Sequence, residues 1–140
     1  MVVKFTTLIL LGSTIAGWCQ SDDEIIRIAE STAIGTPSRC DSHLAVGRYY
    51  VGKRDYTAAI GRLKVAVQKC PTSSDTPEIL AHLAEAFLAH GVASQAQIAV
   101  AVLERKFPGA RFTVEARNAL SSAGHNPVED ENSWIALAFQ

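Results

Sequence analysis

Apolar residues recur at helical spacing from residue 40 to residue 123, and polar or turn-forming residues divide them into short segments. Asp55 precedes one such segment and is a suitable N-cap for a helix over residues 56–69. Gly52 is suited to end the helix before it, since glycine commonly follows the last helical turn. This part of the chain is therefore predicted to form two consecutive helices.

The same kind of punctuation predicts two further helices after Pro71. Thr76 is the predicted N-cap of the third helix, because proline and glutamate follow it in the first turn. Gly91 is expected to end this helix. Ser94 is the predicted start of the fourth helix, which runs to Phe107 and stops before a proline–glycine pair.

A fifth helix is predicted from one apolar face that ends at Gly124 and comprises Phe112, Ala116, Ala119, Leu120 and Ala123. We expect this helix to cap the preceding ones. The C-terminal tail, residues 124–140, carries an apolar stretch at 133–139 behind an acidic one. That stretch either folds back over the cap helix, which we favour, or anchors a partner through Trp134.

Two repeats of tetratricopeptide (TPR) type fit this pattern when Pro71 and Pro108 each take the proline position of a repeat. The repeats then begin at Cys40 and Pro77. Small residues fall where helices cross closely and larger ones fill the gaps between them. The positions concerned are Val46, Gly47, Tyr50, Ala59, Leu63 and Ala66, then Leu80, Leu83, Ala84, Phe87, Ala96, Val100 and Leu103. The predicted fold is all-α, with about two TPR-like helical hairpins over residues 40–123 together with the cap helix.

The N-terminal residues have the pattern of a secretory signal peptide. Lys4 precedes an uncharged, mostly apolar run at residues 5–16, which is too short for the roughly 20 residues that span a bilayer. We therefore expect residues 1–20 to be a signal peptide and residues 21–39 to form an N-terminal helix and linker. A buried helix of the domain is the alternative for the apolar run.

Cys19 lies where a bacterial lipoprotein would carry its lipidated cysteine, but Trp18 stands where a small residue is required. Lipidation and ordinary cleavage to a soluble periplasmic form therefore both stay open. The only membrane contact expected is through this possible lipid anchor. One acyl chain gives only marginal membrane affinity, so stable retention would need several chains or a bound partner.

Composition argues against several classes of function. The chain has 13 Lys and Arg against 14 Asp and Glu, a net charge of −1, which is unsuited to bulk binding of nucleic acid. Its four histidines form no metal-ligand spacing, and no nucleophile, phosphate or dinucleotide motif is present. We expect a protein without enzymatic activity, metal or cofactor.

From about Leu44 onward the sequence resembles the C-terminal part of the BamD family, the TPR lipoproteins of the bacterial outer-membrane β-barrel assembly machinery. The segments that carry the resemblance are 46–50 (VGRYY), 56–63 (YTAAIGRL), 77–80 (PEIL), 83–87 (LAEAF), 95–97 (QAQ), 102–103 (VL) and 107–109 (FPG). The closing segments 127–130 (PVED) and 133–135 (SWI) are similar to the tail of alphaproteobacterial members.

The resemblance implies a scaffold that docks on the periplasmic domains of the barrel-forming subunit and meets other assembly lipoproteins at the periplasmic face of the outer membrane. The family typically has about five repeats, and this chain has room for roughly two. The missing part corresponds to the N-terminal repeats that receive unfolded barrel substrates. The alternative is a soluble periplasmic TPR adaptor of another envelope complex.

Three features give candidate site residues. Cys40 and Cys70 fall at the start and end of one repeat, so a disulfide is predicted that would stabilise the fold by about 3 kcal/mol, with two packed thiols as the alternative. Arg48 and Glu85 share a repeat position that usually faces the concave groove, and Tyr49 adjoins it. With Trp134, these are the predicted partner contacts, and the basic first repeat could steer an acidic partner.

Overall fold

The computed structural model describes residues 39–140. Within this described range there are six helices: α1 (Arg39–Gly52), α2 (Tyr56–Lys69), α3 (Thr76–Ala89), α4 (Ala93–Lys106), α5 (Arg111–Ser122) and α6 (Trp134–Leu137). The predicted signal peptide, Cys19 and residues 21–38 of the predicted N-terminal segment lie outside this range. The described residues include no strand, and the all-α, TPR-like prediction is confirmed.

The helices pack as two consecutive hairpins with a cap. Helix α1 pairs with α2 and α3 pairs with α4, while α2 packs on α3 and α5 covers α3 and α4. The core lies where the repeat pattern placed it, since Leu63, Leu83 and Leu103 have no exposed surface. Only Tyr50, among the apolar positions predicted from the repeats, is half-buried.

The two hairpins end in the same local structure. The C-caps Cys70 and Phe107 have φ of −133° and −134° and ψ of 48° and 52°. The carbonyl oxygen of each accepts a hydrogen bond from a threonine hydroxyl six residues later. The Thr76 hydroxyl donates to Cys70 at 2.8 Å, and the Thr113 hydroxyl donates to Phe107 at 2.6 Å. These matching ends agree with the register that the two prolines set.

The junction of α1 and α2 follows the sequence prediction closely. The Asp55 carboxylate accepts a hydrogen bond from the Ala58 N–H at 3.1 Å, and α2 has the predicted bounds. Helix α1 ends at Gly52, as expected. The left-handed residue of the turn is Arg54, at φ 59°, and not a glycine.

Two predicted helix starts are wrong. Thr76 lies inside α3, whose N-cap is Asp75, because the Thr76 hydroxyl donates across the loop and does not cap its own helix. Ser94 lies inside α4, whose N-cap is Val92. The Val92 N–H donates to the Phe87 carbonyl at 2.8 Å, so backbone hydrogen bonds close this loop without a side-chain cap.

The cap helix α5 buries a narrower face than its sequence predicts. Ala116 and Leu120 are buried as expected, and Thr113 is buried beside them. Ala119 and Ala123 are exposed, which corrects the prediction. No described helix follows α5 on that side, so only the stripe towards α3 and α4 is covered.

The tail folds back over the outer face of α4. Ile135 and Ala136 are 0% and 2% exposed, and α6 packs on α4. The Gln97 amide donates to the Asn126 carbonyl at 2.8 Å, and the Val128 N–H donates to the Gln97 carbonyl at 3.3 Å. The favoured folding-back is thus observed, but the tail packs on α4 and not on the cap helix.

Candidate protein-binding face

Polar side chains form a continuous row across α1 and α3. Arg48 on α1 makes an ion pair with Glu78 on α3. The Glu78 Oε1 atom lies 3.6 Å from His82 Nε2, and His82 Nδ1 lies 3.2 Å from Glu85 Oε2. Residues 78, 82 and 85 follow one another at helical spacing, so they share one stripe of α3. We call these four residues the α1–α3 row.

The ends of the α1–α3 row are accessible, and its middle is covered. The Arg48 and Glu85 side chains are 50% and 54% exposed, whereas Glu78 is 17% exposed. A neutral imidazole carries one N–H and can donate to only one of the two carboxylates, whereas the protonated ring can donate to both. Because Arg48 and Glu85 are its accessible residues, the row offers a cation at one end and a carboxylate at the other to any molecule that lies across it.

Tyr49 adds an exposed aromatic surface beside the row. Its side chain is 49% exposed, and its ring packs edge-on against that of Tyr50 at a centroid distance of 5.4 Å. The Lys53 ammonium lies 5.6 Å from the Tyr49 ring centroid. Exposed tyrosine next to arginine is the composition that dominates binding energy at protein interfaces. This part of α1 is therefore suited to protein contacts.

Sequence reasoning missed two members of the row. Arg48 and Glu85 were predicted as separate contacts because they share a repeat position, but the structure links them through Glu78 and His82. The spacing of Glu78, His82 and Glu85 along one helix was the available signal. The contact between α1 and α3 depends on how the two helices pack, and the sequence of either helix alone does not predict it.

Trp134 contacts α2 and α4 and none of the residues of the row. Its indole N–H donates to Gln95 Oε1 at 2.9 Å, and the Lys64 ammonium lies 4.8 Å from its ring centroid. These contacts support the folding-back interpretation of the tail. A partner contact by Trp134 stays a prediction.

A disulfide joins Cys40 to Cys70, with the Cα atoms 5.9 Å apart, and ties the start of α1 to the end of α2. The Asp41 and Asp75 side chains meet nearby. The hydrogen bond with Asp41, followed by burial, raises the pKa of the Asp75 carboxyl. At neutral pH this carboxyl pair therefore opposes the packing of α1 against the start of α3.

Metal binding and membrane spanning find no support in residues 39–140. In that range no three His, Cys, Asp or Glu side chains are placed to hold a metal ion. No helix of this described part is long and apolar enough to cross a bilayer. The chemistry that the α1–α3 row offers is ion pairing, hydrogen bonding and aromatic contact.

Comparison with known proteins gives one informative match. No protein-family model and no solved structure matches the chain. Over 85 residues, 61% of the chain, it is 40% identical to the outer membrane protein assembly factor BamD of Caulobacter vibrioides. The matched residues cover 28% of that protein's length, so the chain spans much less than the whole relative. Its resemblance to the C-terminal part of the BamD family is confirmed.

Proposed function

We propose that this chain is a non-enzymatic, protein-binding scaffold in outer-membrane β-barrel protein assembly. The observation that carries the proposal is its 40% identity to an outer membrane protein assembly factor. The packed helical hairpins support it, because a repeat array presents a surface that is ordered before binding and loses little conformational freedom. The proposed partners are the barrel-forming subunit, through its periplasmic domains, and other assembly lipoproteins.

The α1–α3 row and Tyr49 are the proposed docking surface. Tyr49 can bury apolar area, while the exposed ends of Arg48 and Glu85 can pair with an acidic and a basic group of the partner. Truncating a central aromatic contact of this kind typically costs 2 kcal/mol or more, roughly a thirtyfold loss of affinity. Charges at the edge contribute more to orientation and association rate.

The proposed location is the periplasmic face of the outer membrane. Attachment would come from a lipid on Cys19 or from the partner complex. A soluble periplasmic form remains the alternative. Cell fractionation distinguishes the two, because a soluble form would be free in the periplasmic fraction.

A pull-down from detergent-solubilised envelopes tests the docking proposal. Antibody against the untagged chain keeps Cys19 and the tail native, and mass spectrometry identifies the proteins recovered. We expect the barrel-forming subunit with the wild-type chain, and much less of it with Tyr49→Ala or Glu85→Arg. Val114→Ala and Glu115→Arg are the matched controls, since both residues are exposed on α5 and make none of the contacts of the row. These controls should retain the subunit.

Two outcomes would contradict the proposal. Equal recovery with the row variants and the α5 controls would remove the row from the docking surface. Absence of the barrel-forming subunit, with the wild-type chain abundant and free in the periplasmic fraction, would favour an adaptor of another envelope complex.

A further inference from the structure

The middle of the α1–α3 row is a histidine that has a carboxylate at each ring nitrogen. His82 Nδ1 lies 3.2 Å from Glu85 Oε2, and His82 Nε2 lies 3.6 Å from Glu78 Oε1. The His82 side chain is 27% exposed, so its ring can exchange protons with solvent. The protonation state of this ring therefore decides how the two carboxylates are paired.

The two carboxylates differ in their other partners. Glu78 also pairs with Arg48, which is the charged residue that α1 brings to this site. Within residues 39–140 Glu85 makes no ion pair other than that with His82, and no ion pair joins His82 to α2, α4 or α5. Glu85 is also 54% exposed, so a partner molecule can reach it. Of the two carboxylates, Glu85 is therefore the one whose pairing depends on His82.

The neutral and the protonated ring act differently on these carboxylates. A neutral imidazole has one N–H, so its other nitrogen presents a lone pair to a carboxylate oxygen and repels it. The protonated ring has an N–H on both sides and carries a positive charge. Histidine ordinarily changes between these two forms in the range of pH 5 to 8. As the pH falls through that range, the row therefore changes from one excess negative charge to none.

We propose that protonation of His82 withdraws Glu85 from a basic group of a docking partner, so that docking weakens as the pH falls. This inference rests on the proposed docking surface, in which Glu85 pairs with such a group. The protonated ring holds the Glu85 carboxylate by a charged hydrogen bond, and a lysine or arginine of the partner has to compete with it. Binding of the proton and binding of the partner's cation therefore oppose each other at one carboxylate.

The size of the effect follows from the exposure of the pair. Loss of one solvent-exposed ion pair typically changes affinity by about two- to fivefold. We expect a change of this size in the affinity for a basic partner between pH 8 and pH 5.5. A partner that meets the row through Arg48 alone would show no such dependence on His82.

NMR of the full chain tests the first step without any partner. We expect the His82 ring signals and the Glu85 side-chain carboxyl signal to shift together between pH 5 and pH 8. His82→Gln should abolish this step in the Glu85 signal. His90→Gln is the matched control and should retain it, because His90 is the exposed C-cap residue of α3 and makes no ion pair within residues 39–140. A Glu85 step that persists in His82→Gln would overturn the proposal.

Pentalysine tests the second step, since lysine stays protonated throughout this pH range. The dissociation constant for pentalysine, measured from the Glu85 carboxyl signal, should be about two- to fivefold larger at pH 5.5 than at pH 8. His90→Gln should retain this difference, and His82→Gln should lose it. The same pH dependence in the wild-type chain and in His82→Gln would assign it to other titrating groups and would overturn the role of His82.

The pull-down at both pH values separates this inference from the docking proposal. Recovery of the barrel-forming subunit should be lower at pH 5.5 than at pH 8 with the wild-type chain, and equal with His82→Gln. No recovery at either pH, with the pentalysine response intact, would reject the docking proposal and support the withdrawal of Glu85 by His82. Equal recovery by the wild-type chain at both pH values would overturn the pH dependence of docking and leave the docking proposal intact.

Discussion

Gly47 shows how one residue sets the spacing of α1 and α2. A Cβ atom at this position would lie 2.5 Å from Leu63 Cδ2 and 2.8 Å from Leu63 Cγ, and Leu63 is completely buried. The leucine cannot move into solvent, so the helices would have to separate. The repeat pattern calls for a small residue at position 47, and the close approach of Leu63 is the physical reason.

Gly47→Ala should destabilise the fold by about 1–3 kcal/mol through this overpacking. Gly61→Ala is the matched control, since it also replaces a helical glycine but has no atom within 4 Å of the added Cβ. The control should stabilise the fold by about 0.5–1 kcal/mol because alanine has the higher helix propensity. Urea unfolding measures both changes, and a stabilised Gly47→Ala variant would contradict the predicted clash.

The Asp41–Asp75 pair gives a prediction with a defined pH dependence. Because the pKa of Asp75 is raised in the folded state, the native protein binds this proton more tightly than the unfolded chain does. Its contribution to stability is full below the unfolded pKa and is lost as the pH rises through the folded pKa. Asp75→Asn should therefore stabilise the protein at pH 7, by less than about 1 kcal/mol since the site is only partly buried.

This gain from Asp75→Asn should disappear near pH 3, roughly where aspartate is largely protonated in both states. The Asp75 side chain makes no capping hydrogen bond to α3, so the start of this helix should be preserved in the variant. Unfolding curves at both pH values test the expectation, with Glu115→Gln on α5 as the exposed control. A gain that is the same at pH 3 and pH 7 would exclude carboxyl repulsion as its cause.

At the scale of helices, the disulfide makes the first hairpin a closed unit. The bridged cysteines are 30 residues apart, and closing a loop of this length stabilises a fold by about 3–4 kcal/mol in the chain-entropy estimate. Replacing both cysteines by alanine should lower the free energy of unfolding by that amount. Dithiothreitol should destabilise the wild-type chain and leave the double variant unchanged, as urea unfolding with and without reductant will show.

The sequence predicts helices well where their ends are determined locally. The start of α2 follows from Asp55, whose carboxylate accepts a hydrogen bond from the N–H group three positions later. The assignments of Thr76 and Ser94 are wrong because the loops before these helices close through hydrogen bonds to carbonyl groups five or six residues earlier, which helix-start patterns do not encode. Ala119 satisfies the helical spacing of an apolar face but is exposed, since periodicity does not tell how many neighbours a helix has.

The candidate site shows the same difference between interactions within one helix and interactions that depend on packing. The stripe of Glu78, His82 and Glu85 is readable from spacing along one helix. The Arg48–Glu78 ion pair depends on the relative position of α1 and α3, which only packing determines. The sequence therefore predicts the residues of the row better than their connections.

Across the whole molecule, the tail completes the fold. The outer side of α4 is largely apolar, with Ile98, Ala101 and Val102 all buried, although α3 and α5 pack on its other sides. Ile135 and Ala136 lie on this outer side, and the Phe139 ring packs edge-on against Phe107 at 6.1 Å. Without residues 133–139 this apolar face would be open to solvent.

Ile135→Ala should therefore cost about 2–5 kcal/mol, since it removes a fully buried side chain from that contact. Leu137→Ala is the matched control in the same short helix, because Leu137 is 53% exposed and should cost less than about 0.5 kcal/mol. Urea unfolding would measure the difference. If the two variants were equally stable while the barrel-forming subunit was lost from the pull-down with Ile135→Ala, the tail would be a partner anchor. A large loss of stability confined to Ile135→Ala would instead establish that these residues act first by closing the core that holds the α1–α3 row in place.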